Sequence, residues 1–381
     1  MTLERNADIS NLSWVTAKGT RTQVFHELGE YFADRIRAVL YAMPEREPLL
    51  KWSRTPAGIE TTGRLRSMAE ADYPDEIEEL RSMAEGGKLS FDELFLANIR
   101  GDIGSYDGTG CTDILWNGRT PYAAHNEDGA PSVGANLTLL TIRVNGEDPV
   151  FTQWYPGFLP CNAYTLTASG MAWGINHIGV AHPARTAGRH FVARRLQRCQ
   201  TIDEATSFLR GHPMAGGFCF NFASPLEERE VCVECAAGHI AVHEVDADHP
   251  YHWHTNHLLH IPGHETGVGG WRAGTADDMH TKTENAVATA LGPIGESLER
   301  GRILDCRHPT DETMNTEWLR RLMAEREAPD GVFRTARGTD PLETLCTTIY
   351  DLNERKLLIC GHHGKPECHS VSELLDDTNR F

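Results

Sequence analysis

The sequence predicts an α+β fold in which antiparallel sheets pack against layers of helices. Runs of helix-like sequence alternate with runs of strand-like sequence, which is typical of that class. The 381 residues are 40% hydrophobic, so the chain is long enough to bury a sizeable core. No G-x-G-x-x-G follows a predicted strand, so a parallel nucleotide-binding sheet is not indicated.

The segment up to about Ile103 is predicted to be mostly helical. Within 23–43, apolar residues recur at helical spacing: Phe25, Leu28, Phe32, Ile36 and Leu40. A second, acidic helix is predicted at 73–84. Ser90 and Glu93 have the spacing of a capping box, which predicts a third helix after Ser90.

Strand-like sequence begins near Gly101. Alternating segments at 136–144 and 149–154 flank Asn145-Gly146, which predicts a hairpin. Further strands are predicted at 163–167, 170–176, 217–223, 230–236, 239–245, 345–351 and 356–360. Further helices are predicted at 188–209, 281–291 and 315–326.

The formal net charge of −18 disfavours binding to nucleic acid or to an anionic membrane surface. No apolar run approaches the length of a membrane span, and the first residues lack the pattern of a secretory signal. We therefore expect a cytoplasmic protein whose ten cysteines are reduced thiols rather than disulfides.

Gly110-Cys111-Thr112 opens the strand-rich part of the chain and offers a nucleophile. A thiol attacks as thiolate and needs a base, either one of the histidines or its own α-amine. The amine, with an ordinary pKa of roughly 7.7–8, suits this task but exists only if the chain is cut after Gly110. From the residues alone, a turn beside a buried cysteine is the favoured interpretation.

Several short motifs occur in an order that resembles a known family. They are Cys111-Thr112, Asn126-x-Asp128, 174–180, 189–194, 201–205, His254-Thr255-Asn256-His257 and 348–351. Together they resemble the acyl-coenzyme A:6-aminopenicillanic acid acyltransferase family of autoproteolytic N-terminal-nucleophile enzymes. The resemblance implies an αββα sandwich with two antiparallel sheets. It also implies a pro-segment, 1–110, that stays bound as a small subunit to a catalytic part, 111–381.

The resemblance implies site residues one by one. Cys111 would be the nucleophile for self-cleavage and for catalysis. Asp128 would orient the freed amine, and Asn256 would donate to the oxyanion. The supporting residues would be Gly110, Thr112, Asn126, Glu127, Tyr155 and Arg337.

Arg337 is named because the family carries an arginine shortly before the late Tyr350-Asp351. Here the corresponding stretch, 339–341, has none. Either a loop insertion lets Arg337 take the role, or the enzyme recognises a different group there.

The stretch 155–162 and the acidic His125-Asn126-Glu127-Asp128 are similar to the β-alanyl-dopamine/carcinine hydrolase branch. This favours hydrolysis of a small N-acyl amide, such as an aminoacyl conjugate of an amine, through a thioester. Acyl transfer to an amine or thiol is the first alternative, and a non-catalytic binding protein is the second. The expected partner is a small molecule, with an αβ heterodimer after cleavage that could dimerise further.

Two patterns raise the question of a metal. Cys232 and Cys235 lie three apart in a predicted strand, so their side chains should face opposite sides. His252, His254 and His257 surround the asparagine of a matched motif and have no standard ligand spacing. We therefore expect neither a metal nor another cofactor.

Overall fold

Two β-sheets lie face to face and carry helices on their outer surfaces. The computed structural model describes residues 3–104, 110–262, 293–326, 331–338 and 340–376. The helix predicted at 281–291 lies outside these residues. The expectation of an α+β fold with four layers is confirmed.

The larger sheet has nine strands in the order β1-β2-β5-β6-β7-β8-β9-β10-β11. All neighbours are antiparallel except β2 and β5, which run parallel, so this sheet is mixed at one pair. The strands are β1 (Leu3–Arg5), β2 (Ser13–Gly19), β5 (Thr138–Val144), β6 (Val150–Trp154), β7 (Thr165–Thr167), β8 (Ala172–His177), β9 (Gly217–Ser224), β10 (Arg229–Ala236) and β11 (His239–Val245).

The smaller sheet has six strands in the order β12-β3-β4-β13-β14-β15, and every neighbouring pair is antiparallel. The strands are β3 (Gly110–Trp116), β4 (Tyr122–Gly129), β12 (Tyr251–His254), β13 (Glu343–Asp351), β14 (Lys356–Gly361) and β15 (Glu367–Ser370). The central strands β3 and β4 face β8 and β9 of the larger sheet.

The described helices form the two outer layers. They are α1 (Arg21–Tyr31), α2 (Ala33–Ala42), α3 (Arg46–Ser53), α4 (Pro56–Asp72), α5 (Pro74–Gly87), α6 (Phe91–Asn98), α7 (Pro131–Gly134), α8 (Arg189–Leu196), α9 (Ile202–Gly211), α10 (Pro293–Asp305), α11 (Thr316–Met323) and α12 (Val371–Leu374). Helices α1 and α9 pack on the larger sheet, and α5 packs on α1. Helices α10 and α11 pack on the smaller sheet, where a separate apolar cluster fills the gap.

Local patterns predicted most elements but not where the helices break. The predicted helix at 23–43 is two helices, α1 and α2, which meet at Phe32. Phe25, Phe32 and Ile36 are all buried on the same side. The helical spacing of apolar residues therefore continues across the break, and the sequence does not reveal where α1 ends and α2 begins. The predicted helix at 188–209 is likewise divided into α8 and α9.

Two strands, Leu3–Arg5 and Ser13–Gly19, precede the first helix, where the sequence predicted a mostly helical segment. Strand β2 pairs with β5 in parallel register from Ser13 opposite Thr138 to Gly19 opposite Val144. Because both strands continue the larger sheet, the N-terminal segment shares a backbone ladder with the strand-rich part of the chain. The remainder of the segment up to residue 98 is helical, as predicted.

Candidate active site

The β3–β4 hairpin brings most of the predicted site residues together. In its register Gly110 lies opposite Asp128, Cys111 opposite Glu127, and Thr112 opposite Asn126. Successive side chains on a strand point to opposite faces, so the hairpin divides these residues into two groups. Cys111 and Glu127 face the larger sheet, whereas the other four positions face the α10–α11 layer.

The thiol of Cys111 is buried but lies among polar groups. Cys111 is 3% exposed, and its Sγ donates to Glu127 Oε2 at 3.3 Å. Tyr155 Oη donates to the other carboxylate oxygen of Glu127 at 2.6 Å. Burial, together with the neighbouring carboxylates of Glu127 and Asp128, raises the pKa of the Cys111 thiol well above its usual value. The thiol therefore stays protonated unless a base in direct contact takes the proton.

His125 is held between two carboxylates beside that thiol. Its Nδ1 lies 2.9 Å from Asp113 Oδ2, and its Nε2 lies 3.0 Å from Glu127 Oε2. Although burial opposes the charged form, these two carboxylates raise the pKa of His125 to about 10. His125 is therefore an imidazolium at neutral pH and donates from both nitrogens.

The polar chain continues through the space between the sheets. Asn176 Nδ2 donates to Asp113 Oδ2 at 2.7 Å, and Asn176 Oδ1 lies 2.9 Å from His254 Nδ1. His254 Nε2 in turn lies 3.0 Å from Glu234 Oε1. A continuous series of hydrogen-bonded side chains thus runs from the thiol of Cys111 to Glu234 on β10.

Gly174 on β8 provides the space for this chain. A Cβ at that position would overlap Asp113 Oδ1 and His125 Nδ1. Because both groups are buried and hydrogen-bonded, they have nowhere to move without losing a partner. A side chain at residue 174 is therefore incompatible with the network.

We expect Gly174→Ala to lower the free energy of unfolding by roughly 1–3 kcal/mol, the usual effect of overpacking a filled interior. Urea or guanidinium unfolding, followed by circular dichroism, measures the change. Gly63→Ala is the matched control, because a Cβ on Gly63 in α4 meets nothing within 4 Å. The control should be neutral or stabilising, since alanine favours a helix. Equal stability of Gly174→Ala and wild type would contradict the packing argument.

Asp128 lies on the opposite face of the hairpin, in a buried setting of its own. Its Oδ1 accepts from Thr344 Oγ1 at 2.7 Å, and its Oδ2 lies 3.9 Å from Arg334 Nη1. Oδ2 has no hydrogen-bond partner among the described residues. Burial raises the pKa of Asp128 to about 6, although Arg334 and Arg300 oppose the shift.

Asn256 and Arg300 approach the backbone of Cys111. Asn256 Oδ1 accepts from Cys111 N at 3.0 Å, and Asn256 Nδ2 donates to His177 O at 3.0 Å. Arg300 on α10 donates from Nη1 to Cys111 O at 2.5 Å and to Thr112 Oγ1 at 2.7 Å. Its Nη2 donates to Asn256 Oδ1 at 2.7 Å. The side chain predicted to meet the oxyanion thus contacts the nucleophile's own nitrogen.

Asn126 is buried and joins two other elements. Its Nδ2 donates to Met323 O at the end of α11, and its Oδ1 accepts from Thr347 on β13. Asn126 therefore connects the hairpin to the helical layer and does not contact the thiol.

The arginine near the site is not the one that the sequence favoured. Arg337 is exposed, so the structure gives its predicted role no support. Arg334 is the residue that lies beside Asp128, and a Cβ on Gly110 would overlap its guanidinium. Asp340 accepts from Arg334 Nε at 2.9 Å and so helps to fix the guanidinium. Sequence reasoning missed Arg300 altogether, because nothing in its local sequence distinguishes it from a surface arginine of α10.

The aromatic residues at the end of β6 and directly after it are mostly core. Trp154 is fully buried and donates to Phe158 O, and Phe158 belongs to the same apolar cluster. Only the hydroxyl of Tyr155 reaches the site, where it meets Glu127. These side chains therefore pack in the core next to the site and do not line an open aromatic pocket.

Cys111, His125 and Glu127 each offer one ligand atom, and these atoms lie within 4.8 Å of one another. A metal needs a neutral imidazole with a free lone pair. Both nitrogens of the His125 imidazolium donate to carboxylates, so the group is poorly suited to hold an ion.

The comparison with protein families identifies the relationship. The family described as acyl-coenzyme A:6-aminopenicillanic acid acyl-transferase matches residues 116–366, which is more than half of the chain. The chain belongs to this family. The matched span contains Asp128, Tyr155 and Asn256 and begins after Cys111, so the nucleophile itself is assigned on other grounds.

One curated relative is the β-alanyl-dopamine/carcinine hydrolase of Drosophila melanogaster. The two sequences are 23% identical over 270 residues, which cover 62% of this chain and 70% of the relative. The prediction of an enzyme of the amide hydrolase and acyltransferase class is confirmed at that level.

Solved structures give weaker likenesses. A variant of conjugated bile acid hydrolase from Clostridium perfringens has a TM-score of 0.44 and 10% identity, over 70% of this chain and 94% of that one. Penicillin V acylase from Agrobacterium tumefaciens has a TM-score of 0.40 and 11% identity, over 70% and 88%. These values are too low to carry a functional argument.

Two further expectations concern thiols and membranes. All ten cysteines are free thiols in the structure. Among the helices that the structure describes, none has the length and hydropathy needed to cross a bilayer.

Proposed function

We propose that this family member is a self-cleaving amidohydrolase in which Cys111 becomes the first residue of a catalytic chain. The observation that carries the proposal is the position of Cys111 itself. Its thiol donates to Glu127, while its backbone nitrogen is held by Asn256. Polar side chains therefore form hydrogen bonds with both the sulfur and the backbone nitrogen of this one residue.

Self-cleavage begins with proton transfer from Cys111 Sγ to Glu127. The sulfur then attacks the carbonyl carbon of Gly110 and forms a carbon–sulfur bond. The carbon–nitrogen bond breaks, and the nitrogen of Cys111 takes up a proton to become a free amine. Water hydrolyses the resulting thioester, which leaves a carboxylate on Gly110 and restores the thiol.

The freed amine then serves as the base for the substrate reaction. It takes the thiol proton, Sγ attacks the amide carbonyl of the substrate, and the amine part leaves with a proton. Water releases the acyl group from the thioester. One hydrogen of Asn256 Nδ2 goes to His177 O, so the other would donate to the oxyanion. Asp128 Oδ2 accepts no hydrogen bond from the described residues and lies 3.9 Å from Arg334 Nη1. It is on the Gly110 side of the hairpin and would face the new ammonium.

The segment 1–110 is expected to stay bound after cleavage. Strand β2 pairs with β5, and buried Glu79 on α5 accepts from Arg194 on α8 at 2.8 and 2.9 Å. Arg195 donates to Glu76 at 2.8 Å from both Nε and Nη2. Neither the β2–β5 ladder nor these ion pairs include the Gly110–Cys111 bond at the start of β3, so both should persist when that bond is cut.

The charge beside the thiol favours an acyl group that carries an ammonium. On the face of the hairpin that carries the thiol, the acidic side chains of Asp113 and Glu127 outnumber the one imidazolium of His125, whereas Arg300 and Arg334 lie on the opposite face. The thiol's face therefore has an excess of negative charge. A substrate ammonium near Cys111 would balance it, and a substrate carboxylate would be repelled. This supports an aminoacyl amide as the substrate class, as in the name of the Drosophila relative.

A set of three amides of one arylethylamine tests this proposal. The β-alanyl amide carries the ammonium, the propionyl amide lacks it, and the succinyl amide replaces it with a carboxylate. We expect kcat/KM to fall in that order, with the first step roughly tenfold, or about 1.4 kcal/mol. Equal rates would contradict the charge argument, and hydrolysis of none of the three would contradict the amidohydrolase itself.

Acyl transfer remains the second candidate, because the matching family is described as an acyl-transferase. Adding a second amine or a thiol to the assay separates the two activities. A hydrolase yields the free acid at an unchanged rate, whereas a transferase diverts the acyl group into a new amide or thioester.

The raised pKa of Asp128 predicts how self-cleavage depends on pH. Above about pH 6 the carboxyl is ionised and can stabilise a developing ammonium; below it the carboxyl is protonated and cannot. In chains made by cell-free translation, the cleavage rate should therefore fall as the pH drops through about 6. Asp128→Asn should cleave slowly and lose this inflection. An unchanged inflection in the variant would assign the titration to another group.

A further inference from the structure

A second cluster of donor side chains lies between β10, β11 and β12. One ligand atom each of Cys232, His252 and His260 lies within 4.8 Å of the others. The ring of His243 lies 4.7 Å from that of His252 and 4.4 Å from that of His260, measured between centroids. We call these four residues the His-Cys cluster.

Elements from both sheets build the cluster. Cys232 on β10 lies directly opposite His243 on β11 in the larger sheet. His252 lies on β12, the edge strand of the smaller sheet, and His260 lies on the loop that follows β12. The cluster therefore occupies the point where the two sheets and this loop meet.

The sequence patterns that suggested a metal grouped the wrong residues. Cys235 lies three positions from Cys232, on the other face of β10. His254 is hydrogen-bonded to Asn176 and Glu234, and His257 to Thr255 and Ser297. The structure selects one residue from each pattern, Cys232 and His252, and adds His260.

Two imidazole nitrogens of the cluster lack a partner. His252 Nε2 and His260 Nε2 are both buried without a hydrogen-bond partner among the described residues. A buried polar atom left unpaired destabilises a protein by roughly 1–3 kcal/mol. Two such atoms beside one thiol point to a ligand that accepts electron pairs.

We propose that Cys232, His252 and His260 bind a divalent metal of the zinc class. Thiolate and imidazole together select zinc over magnesium or calcium. On binding, the Cys232 thiol loses its proton to solvent and a metal–sulfur bond forms. Tetrahedral zinc holds its donor atoms about 3.3–3.6 Å apart, so the side chains close in by roughly 1 Å through small rotations.

The site would be structural and would fix a loop that matters for the proposed chemistry. His260 lies on the same loop as Asn256, the residue that holds the nitrogen of Cys111. Glu234, two residues after Cys232, accepts from the backbone nitrogens of Leu259, His260 and Ile261.

Cobalt(II) titration of the chelator-treated full-length protein tests the proposal. Co²⁺ occupies zinc sites and gives a thiolate-to-metal absorption band together with strong visible bands in tetrahedral geometry. We expect one strongly bound Co²⁺ per chain with both signals, and its displacement by Zn²⁺. Absence of the thiolate band in the wild-type protein overturns the proposal without any variant.

Cys232→Ser should remove the thiolate band and weaken metal binding by on the order of 100-fold. Cys235→Ser is the matched control, because it removes a buried thiol from the other face of the same strand. The control should titrate like wild type.

If Cys232→Ser does not fold, His260→Asn on the loop replaces it. This variant should bind the metal more weakly while keeping the thiolate signal. Binding by either variant as tight as in wild type overturns the proposal. These readouts do not depend on amidase activity.

Discussion

Replacing Cys111 by alanine should leave a single uncleaved chain of 381 residues with no amidase activity. The wild-type protein should instead yield pieces of 110 and 271 residues, the larger beginning with cysteine. The loss should be complete, because the proposal assigns both the attacking sulfur and the catalytic amine to this one residue. Mass spectrometry of the purified proteins measures the pieces, and amide hydrolysis measures the activity.

Cys235→Ala is the control for this experiment. It also removes a buried thiol, which is 4% exposed and lies on β10 rather than on the β3–β4 hairpin. The control should be cleaved and active. Cleavage of Cys111→Ala would refute the self-cleavage mechanism, and a wild-type cut at another bond would refute the site.

Glu127→Gln should slow self-cleavage by roughly 10²–10⁴-fold, the range that a positioned general base contributes. The thiol of Cys111 has a raised pKa, so it needs a base in contact, and Glu127 Oε2 lies 3.3 Å from Sγ. Glutamine keeps the size of the side chain but cannot accept the proton. Time courses in cell-free translation, read on denaturing gels, give the rate.

Glu230→Gln provides the matched control. Glu230 is a fully buried carboxyl on β10 whose pKa burial raises to about 8, so it is already neutral at pH 7. The same substitution there should leave the cleavage rate unchanged. Thermal unfolding of both variants checks that they fold. Cleavage of folded Glu127→Gln at the wild-type rate would assign the base to another group.

The sequence indicated that Cys111 opens a strand-rich part of the chain, but it did not predict the β3–β4 hairpin that builds the site. The short spacing from Cys111 to Asp128 brings two strands into one hairpin, and its register then places Glu127 opposite Cys111. The spacing did not indicate that Asp128 and the thiol lie on opposite faces. That separation follows from the two-residue period of a strand once the register is known.

Patterns that depend on residues near in sequence failed where the chain folds back from a distance. The first nineteen residues were predicted within a helical segment, although β2 is held by β5, far along the chain. In the same way, His252 was considered only with its neighbours His254 and His257, and that group was set aside as a metal site. His252 and His260 instead meet Cys232, which comes from the other sheet.

The sequence by itself determined the class of fold, the family and the candidate nucleophile, because periodicity and short motifs are local properties. Only the tertiary structure decided which charged groups surround Cys111. Arg300 reaches its carbonyl from a position 189 residues away, and Arg334 rather than Arg337 lies beside Asp128. Such contacts depend on how a helical layer and a loop pack on a sheet. That packing cannot be predicted from the residues that are neighbours in the sequence.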